Sequence, residues 1–188
     1  MKSQIRTLLN KLEKTAHLFW NVSPETGLFL NQLVRLTKPK NILEIGTSNG
    51  YSAIWMAEAL ATDHHKNQGR LYTIESNKKK RFPESQKNIA TSNLSPQITQ
   101  ILGHAPEAIP KTPKHFDLIF LDATKYEHTD YLKALLPRTR KGSIIITDNI
   151  LSHKKALKPY FKKIHQQKNF ETHLLEIDTG LLISTRLS

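Results

Sequence analysis

Cysteine is missing from all 188 residues. Disulfides, thiolate metal ligands and thiol nucleophiles are therefore excluded, and a reducing, cytoplasmic setting is the expectation. Long apolar runs are missing as well. The longest, such as Leu118 to Leu121 and Ile144 to Ile146, have the length of a strand and not of a membrane span. The first residues hold no continuous apolar stretch of the kind a secretory signal uses. Acidic side chains are scarce, 16 against 28 Lys and Arg, which leaves a net charge of +12. No internal repeat or low-complexity linker interrupts the chain.

What is present reads as a folded protein. Hydrophobic residues make up 38% and charged residues 23%, the balance of a globular chain and not of a disordered one. The length suits one well-buried core and is short for two ordinary domains. The expectation is a single domain over 1–188, with helices over 1–40 capping an α/β core over 41–188. The few acids concentrate in 41–75 and 117–150, and the remaining segments are basic. Such a surface attracts nucleic acid or another polyanion, or belongs to a soluble enzyme that happens to be basic.

Residues 41 to 52, N-I-L-E-I-G-T-S-N-G-Y-S, organise the rest. A short apolar run ends at Gly46, the chain passes through Thr47, Ser48 and Asn49 to Gly50, and Tyr51 and Ser52 open a helical pattern to Ala61. This is strand, glycine turn, helix. Two glycines four apart bend the backbone and let it approach a ligand, while the helix start presents unpaired N–H groups. The same glycines would also serve merely to end a strand and start a helix. The dinucleotide fingerprint G-x-G-x-x-G lacks its middle glycine here, and Glu44 stands in the strand end. A carboxylate there repels a pyrophosphate and suits a cation, which favours S-adenosylmethionine, positive at its amino group and sulfonium, over NAD.

In chain order, apolar spacing predicts an amphipathic helix over 3–19 and a second over 24–36, the latter capped by Ser23 with Pro24 at its first position. Residues 70–74 read as the second strand, ending at Glu75, an acid able to accept both ribose hydroxyls of an adenosine; Ser76 follows. A helix is predicted from Pro83 to Ser92, since proline biases Phe82 away from helical dihedrals. The third strand, 97–102, leads to Gly103, His104 and Ala105, a third corner where an adenine would rest, and to a short helix containing Glu107. The fourth strand, 116–121, is nearly all apolar, as parallel strands covered on both faces are, and ends at Asp122. After a helix over 127–136, a fifth strand over 143–147 ends at Asp148 and Asn149. A basic helix over 152–168, kinked at Pro159, and a hairpin of 170–177 with 181–185 complete a doubly wound, mostly parallel sheet.

Asp122, Asp148 and Asn149 fall at the carboxyl ends of adjacent strands, the edge where open α/β sheets bind ligands. Two carboxylates and a carboxamide form a hard-oxygen set for Mg²⁺, Mn²⁺ or Ca²⁺, leaving about three of six octahedral positions for substrate and water. Strand-end acids also commonly cap the next helix, and spacing alone does not separate the two uses. His128 and His153 are expected at the rim and not as ligands.

The ordered motifs N-I-L-E-I-G-T-S-N-G-Y-S, T-I-E at 73–75, F-D-L-I-F-L-D-A-T-K at 116–125, T-D-N at 147–149 and I-D-T-G-L-L-I-S at 177–184 resemble the cation-dependent O-methyltransferases of the catechol and caffeoyl-CoA type. V-S-P-E-T-G-L-F-L at 22–30 resembles the family's segment before the first strand. The resemblance implies the Rossmann-like class I methyltransferase fold, S-adenosylmethionine as donor and a divalent ion at Asp122, Asp148 and Asn149. It also assigns Lys125 as the base that deprotonates the acceptor hydroxyl, and it implies a homodimer. Read from sequence alone, Lys125 is equally a solvated lysine at a helix start. Many relatives carry D-A-D-K where this chain has Asp122, Ala123, Thr124 and Lys125, and the stretch after Asn149 is short, which argues against a bulky coenzyme A thioester.

An acceptor must present a hydroxyl beside a second oxygen, as catechol-like phenols do, with no membrane involved. A 5-hydroxylated uridine in tRNA also does, and its phosphates would meet Lys154, Lys155, Lys158, Lys162 and Lys163. Two rival classes are a nicotinamide-dependent oxidoreductase and a noncatalytic RNA-binding protein with a methyltransferase-like fold.

Overall fold

A computed structural model describes residues 1–62 and 69–188. Helices α1 (Ser3–Glu13), α2 (Ala16–Phe19) and α3 (Pro24–Thr37) precede the sheet. Strand β1 (Asn41–Ile45), helix α4 (Tyr51–Thr62), β2 (Arg70–Glu75), α5 (Arg81–Ser92) and β3 (Ile98–Leu102) form its first half. The second half holds β4 (Leu118–Leu121), α6 (His128–Leu135), β5 (Ile144–Thr147), α7 (Lys154–His165), β6 (Phe170–Leu175) and β7 (Leu181–Arg186).

The strands lie in one sheet in the order β3-β2-β1-β4-β5-β7-β6. The first five are parallel, and β7 inserts antiparallel between β5 and β6. From β1 the chain winds outward to β2 and β3, then returns to place β4 on the other side of β1. That reversal leaves a crevice beyond the carboxyl ends of β1 and β4. Alternation along β1 divides the core in two. Ile42 joins α1, α3 and α4 on one face through Leu9, Leu30 and Ile54. Leu43 and Ile45 join α6 and α7 on the other through Leu132, Leu135 and Ile164.

Several predicted boundaries shift for identifiable reasons. The first helix breaks after Glu13, where the Thr15 hydroxyl and the Asn21 amide both donate to the Leu12 carbonyl and draw it out of the helical ladder. Helix α5 starts at Arg81 and runs through Pro83, because a proline in the first turn lacks only an N–H that has no helical partner. Glu107 lies in a turn, and the short helix after β3 is a 3-10 turn over Ile109–Lys111. Helix α7 is continuous from Lys154 to His165 through Pro159. The terminal hairpin closes across residues 176–180, since pairing stops at Leu175 and Leu181. Among the described residues, no helix is long and apolar enough to cross a membrane.

Candidate active site

Register brings the predicted residues to one level. Ile45 pairs with Ile74 and with Leu121, and Leu121 pairs with Thr147. The next residue of each strand is therefore Gly46, Glu75, Asp122 or Asp148, all at the same sheet edge. Gly46 adopts φ 109°, a conformation that favours glycine, and the main chain of Asp122 fills the space where its Cβ would stand.

Beyond this edge lies a cavity of about 540 Å³. Of the residues singled out from sequence, Gly46, Glu75, Ser76, Gly103, His104, Ala105, Asp122, Lys125 and Asn149 line it. Glu75 is buried and holds the turn: one carboxylate oxygen accepts the Ser48 N–H at 2.9 Å, the other the Asn77 N–H at 2.7 Å. Each oxygen retains a lone pair that a ribose hydroxyl can address.

Glu44, Thr47, Gly50, Tyr51 and Ser52 do not line the cavity, and neither does Asp148, which lies buried just behind its wall. Glu44 shares the face of β1 with Ile42, so its side chain runs under α4 and away from the crevice. It is wholly buried and accepts hydrogen bonds from Ser52 and Thr73, each at 2.5 Å. Burial pushes its carboxyl up to about 7, against the pull of those hydroxyls. A direct contact from Glu44 to a cationic ligand, expected from sequence, is not what this geometry offers. Thr47 is tied to Thr73 behind it, and Tyr51 donates its hydroxyl to Glu13.

Lys125 and Asp122 meet at 2.7 Å, with about one-sixth of each side chain exposed. Asp148 is buried, and one of its oxygens accepts the Thr179 hydroxyl and the Asn149 N–H, both at 2.7 Å. Burial first, and then the neighbouring negative charge of Asp122, push the Asp148 carboxyl up to about 6. Asn149 stands in the left-handed region at φ 65°, which asparagine tolerates. Among the described residues, no group of three or more His, Cys, Asp or Glu is arranged to hold a metal ion, and the set at this edge is instead two carboxylates and a carboxamide. That donor set fits a hard divalent cation, whose charge would relieve the repulsion between Asp122 and Asp148.

A roof missed by the sequence reading covers the cavity. Phe19, Trp20 and Asn21 line it, together with Arg81, Tyr131, His153 and Thr179. The Ser48 hydroxyl donates to the Phe19 carbonyl at 2.6 Å, and the Ser23 N–H to Asp178 at 3.3 Å, so the strap runs from the glycine turn to the loop before β7. Trp20 covers the Arg81 guanidinium at 4.4 Å, and Lys80 faces the Phe19 ring at 5.2 Å. His153 is at the rim as expected, whereas His128 is a core residue. It packs between the Tyr131 and Tyr160 rings, with Nδ1 on the Thr124 carbonyl, and burial pushes its pKa down to about 4.

The profile of the O-methyltransferase family matches residues 2–187, and the chain belongs to that family. A catechol O-methyltransferase from Niastella koreensis is 41% identical over 141 residues, covering 73% of this chain and 61% of that protein. Caffeoyl-CoA O-methyltransferase 1 of Arabidopsis thaliana is 27% identical over 184 residues, covering 93% and 69%. Among solved structures, an O-methyltransferase from Bacillus cereus in complex with SAH superposes with a TM-score of 0.82 at 26% identity, over 99% of this chain and 91% of that one. The sheet and its helices are thus the Rossmann-like methyltransferase fold. The chain spans about three-fifths of the length of the catechol O-methyltransferases it matches.

Proposed function

We propose that the protein transfers the methyl group of S-adenosylmethionine to a hydroxyl bearing a neighbouring oxygen, on a catechol-like small molecule, with the help of a divalent cation. The observation that carries this reading is that Asp122, Asn149 and Lys125 line the cavity at the sheet edge that also holds Gly46 and Glu75, with the buried Asp148 brought beside Asp122 by strand register. Family membership and the likeness to a catechol O-methyltransferase and an SAH-bound O-methyltransferase support it.

Asp122, Asp148 and Asn149 would hold the cation, with Mg²⁺ the best match to an all-oxygen set and Mn²⁺ or Ca²⁺ also suited. When bound, the cation supplies charge that acidifies the acceptor hydroxyl and orients it. Lys125 Nζ, in its neutral form, would take the hydroxyl proton as the oxygen–carbon bond forms and the sulfur–carbon bond of the donor breaks, the sulfur keeping the electron pair. Asp122, 2.7 Å from Nζ, fixes where that amine stands. Glu75 would accept the ribose hydroxyls, the backbone of 103–105 would border the adenine, and the strap of Phe19 and Trp20 would lie over the bound donor.

A second reading, a tRNA 5-hydroxyuridine acceptor, draws on α7. Lys154, Lys155, Lys158 and Lys162 are exposed along it, and none forms an ion pair among the described residues. An acceptor panel with labelled S-adenosylmethionine, run with and without EDTA, tests both. Methylation of catechols that EDTA abolishes is the expected result; methylation confined to hydroxyuridine-containing tRNA and steeply weakened by salt selects the second. Binding of RNA with no turnover on any acceptor sinks both.

A further inference from the structure

Glu127 belongs to the same short 3-10 turn, Lys125–Glu127, that carries Lys125. Its Oε2 gathers two partners from two different elements. The Tyr131 hydroxyl, one turn along α6, donates to it, and His104 Nε2, just beyond β3, lies 3.0 Å away. The second nitrogen of His104, Nδ1, is 2.7 Å from Glu107. His104 and Tyr131 both line the main cavity. Glu127 does not; it lines a separate outer groove that His104 also borders. The carboxylate thus sits behind the cavity wall and joins the corner after β3 to the start of α6.

The His104 and Glu127 side chains are 51% and 34% exposed, so their pairing contributes little to global stability. What it fixes is local geometry. Hydrogen bonds that His104 donates, to Glu107 first and to Glu127 second, hold its imidazole pKa above the ordinary value, which favours an N–H at both ring nitrogens.

We propose that Glu127 is a positioning residue whose carboxylate clasps His104 and Tyr131 together, so that filling the 103–105 corner with the donor's adenosine fixes the turn bearing Lys125. The clasp rests on the methyl-transfer reading above and adds to it a link between donor binding and placement of the base. Such a link is reciprocal for binding: whatever loosens the turn also weakens the donor.

The test uses the full-length protein and three measurements: SAH affinity by calorimetry, kcat on catechol with saturating Mg²⁺, and thermal melting. Glu127→Ala is expected to weaken SAH severalfold and to lower kcat by about tenfold to a hundredfold, the scale on which small misplacements act. Glu127→Gln, whose amide oxygen still accepts from Tyr131, is expected to recover most of the SAH affinity. In a double-mutant cycle, Glu127→Ala added to His104→Ala is expected to bring no further loss of SAH affinity. Wild-type SAH affinity and kcat in Glu127→Ala, or losses in the cycle that simply add, overturn the clasp. Should Glu127→Ala not fold, the cycle between His104→Ala and Tyr131→Phe replaces it, and additivity there overturns the clasp equally. A wild-type protein that binds no SAH overturns the methyl-transfer reading and the clasp with it, which distinguishes that failure from a clasp that fails while wild-type binding stands.

Discussion

Gly46 owes its identity to Asp122: a Cβ on residue 46 would stand 2.1 Å from the Asp122 carbonyl oxygen and 2.7 Å from its carbonyl carbon. Both are main-chain atoms one residue past the end of β4, where the Asp122 N–H donates to the Ile45 carbonyl at 3.0 Å, so they have little room to retreat. Gly46→Ala is therefore expected to cost about 3 kcal/mol or more, from the positive φ and the overlap together. Urea denaturation would measure it, and a loss under about 1 kcal/mol would contradict the geometry.

Lys125→Met removes the amine while keeping much of its apolar stem. Methyl transfer is expected to fall by roughly a hundredfold to ten-thousandfold, the contribution of a positioned base. SAH affinity and melting temperature should stay near wild type, because Lys125 is not part of the core. Retention of wild-type kcat would remove Lys125 from the mechanism.

Asp148→Asn separates stability from activity. In the folded chain the Asp148 carboxyl is raised to about 6, above its ordinary value of 3.8, so its neutral form is favoured by folding. That contribution is present below the unfolded value and lost as pH rises through about 6; at pH 7 the charge opposes folding. An asparagine keeps an oxygen for Thr179 and carries no charge. Without divalent cation, the variant is expected to be more stable than wild type at pH 7 by on the order of 1 to 3 kcal/mol, while its methyl transfer and the stabilisation of wild type by added Mg²⁺ are both lost. A variant less stable than wild type in EDTA would show that Asp148 is not held against its own charge.

How far the sequence reading reached depends on what each residue needed from its neighbours. Strands β1 to β5 were legible because their apolar runs and end acids are local, and register then aligned Asp122 with Asp148 without further information. Glu44 was misjudged: alternation from Ile42 already puts it under α4, yet an acid near a glycine turn reads as a ligand. His128 was expected at the rim, yet it falls at helical spacing with Tyr131, Leu132 and Leu135 on the face that packs inward, a pattern that favours a core position. The roof of Phe19 and Trp20 was not legible, since contacts to Ser48 and Arg81 across long stretches of chain decide where it lies.

His128 sets an acid limit on the fold. Its pKa is pushed down to about 4 by burial, below the ordinary 6.5, so its contribution is present above 6.5 and lost as pH falls toward 4. Glu44, raised to about 7, acts in the opposite sense over an overlapping window. Comparing wild type with His128→Phe isolates the histidine. Between pH 6.5 and 4 the wild type is expected to lose on the order of 3 kcal/mol more than the variant, read from denaturant midpoints; parallel pH profiles would refute the assignment.

The common level to which Gly46, Glu75, Asp122 and Asp148 are brought by the register of β1, β2, β4 and β5 has a bearing on how the chain can change length. A single residue inserted within any of these strands slips its side chains by one pleat and turns its terminal acid or glycine to the opposite face. Insertions at the other end of the sheet, such as the turn at Lys141 and Gly142, leave that alignment untouched, so this protein should accept extra residues at one edge and almost none at the other.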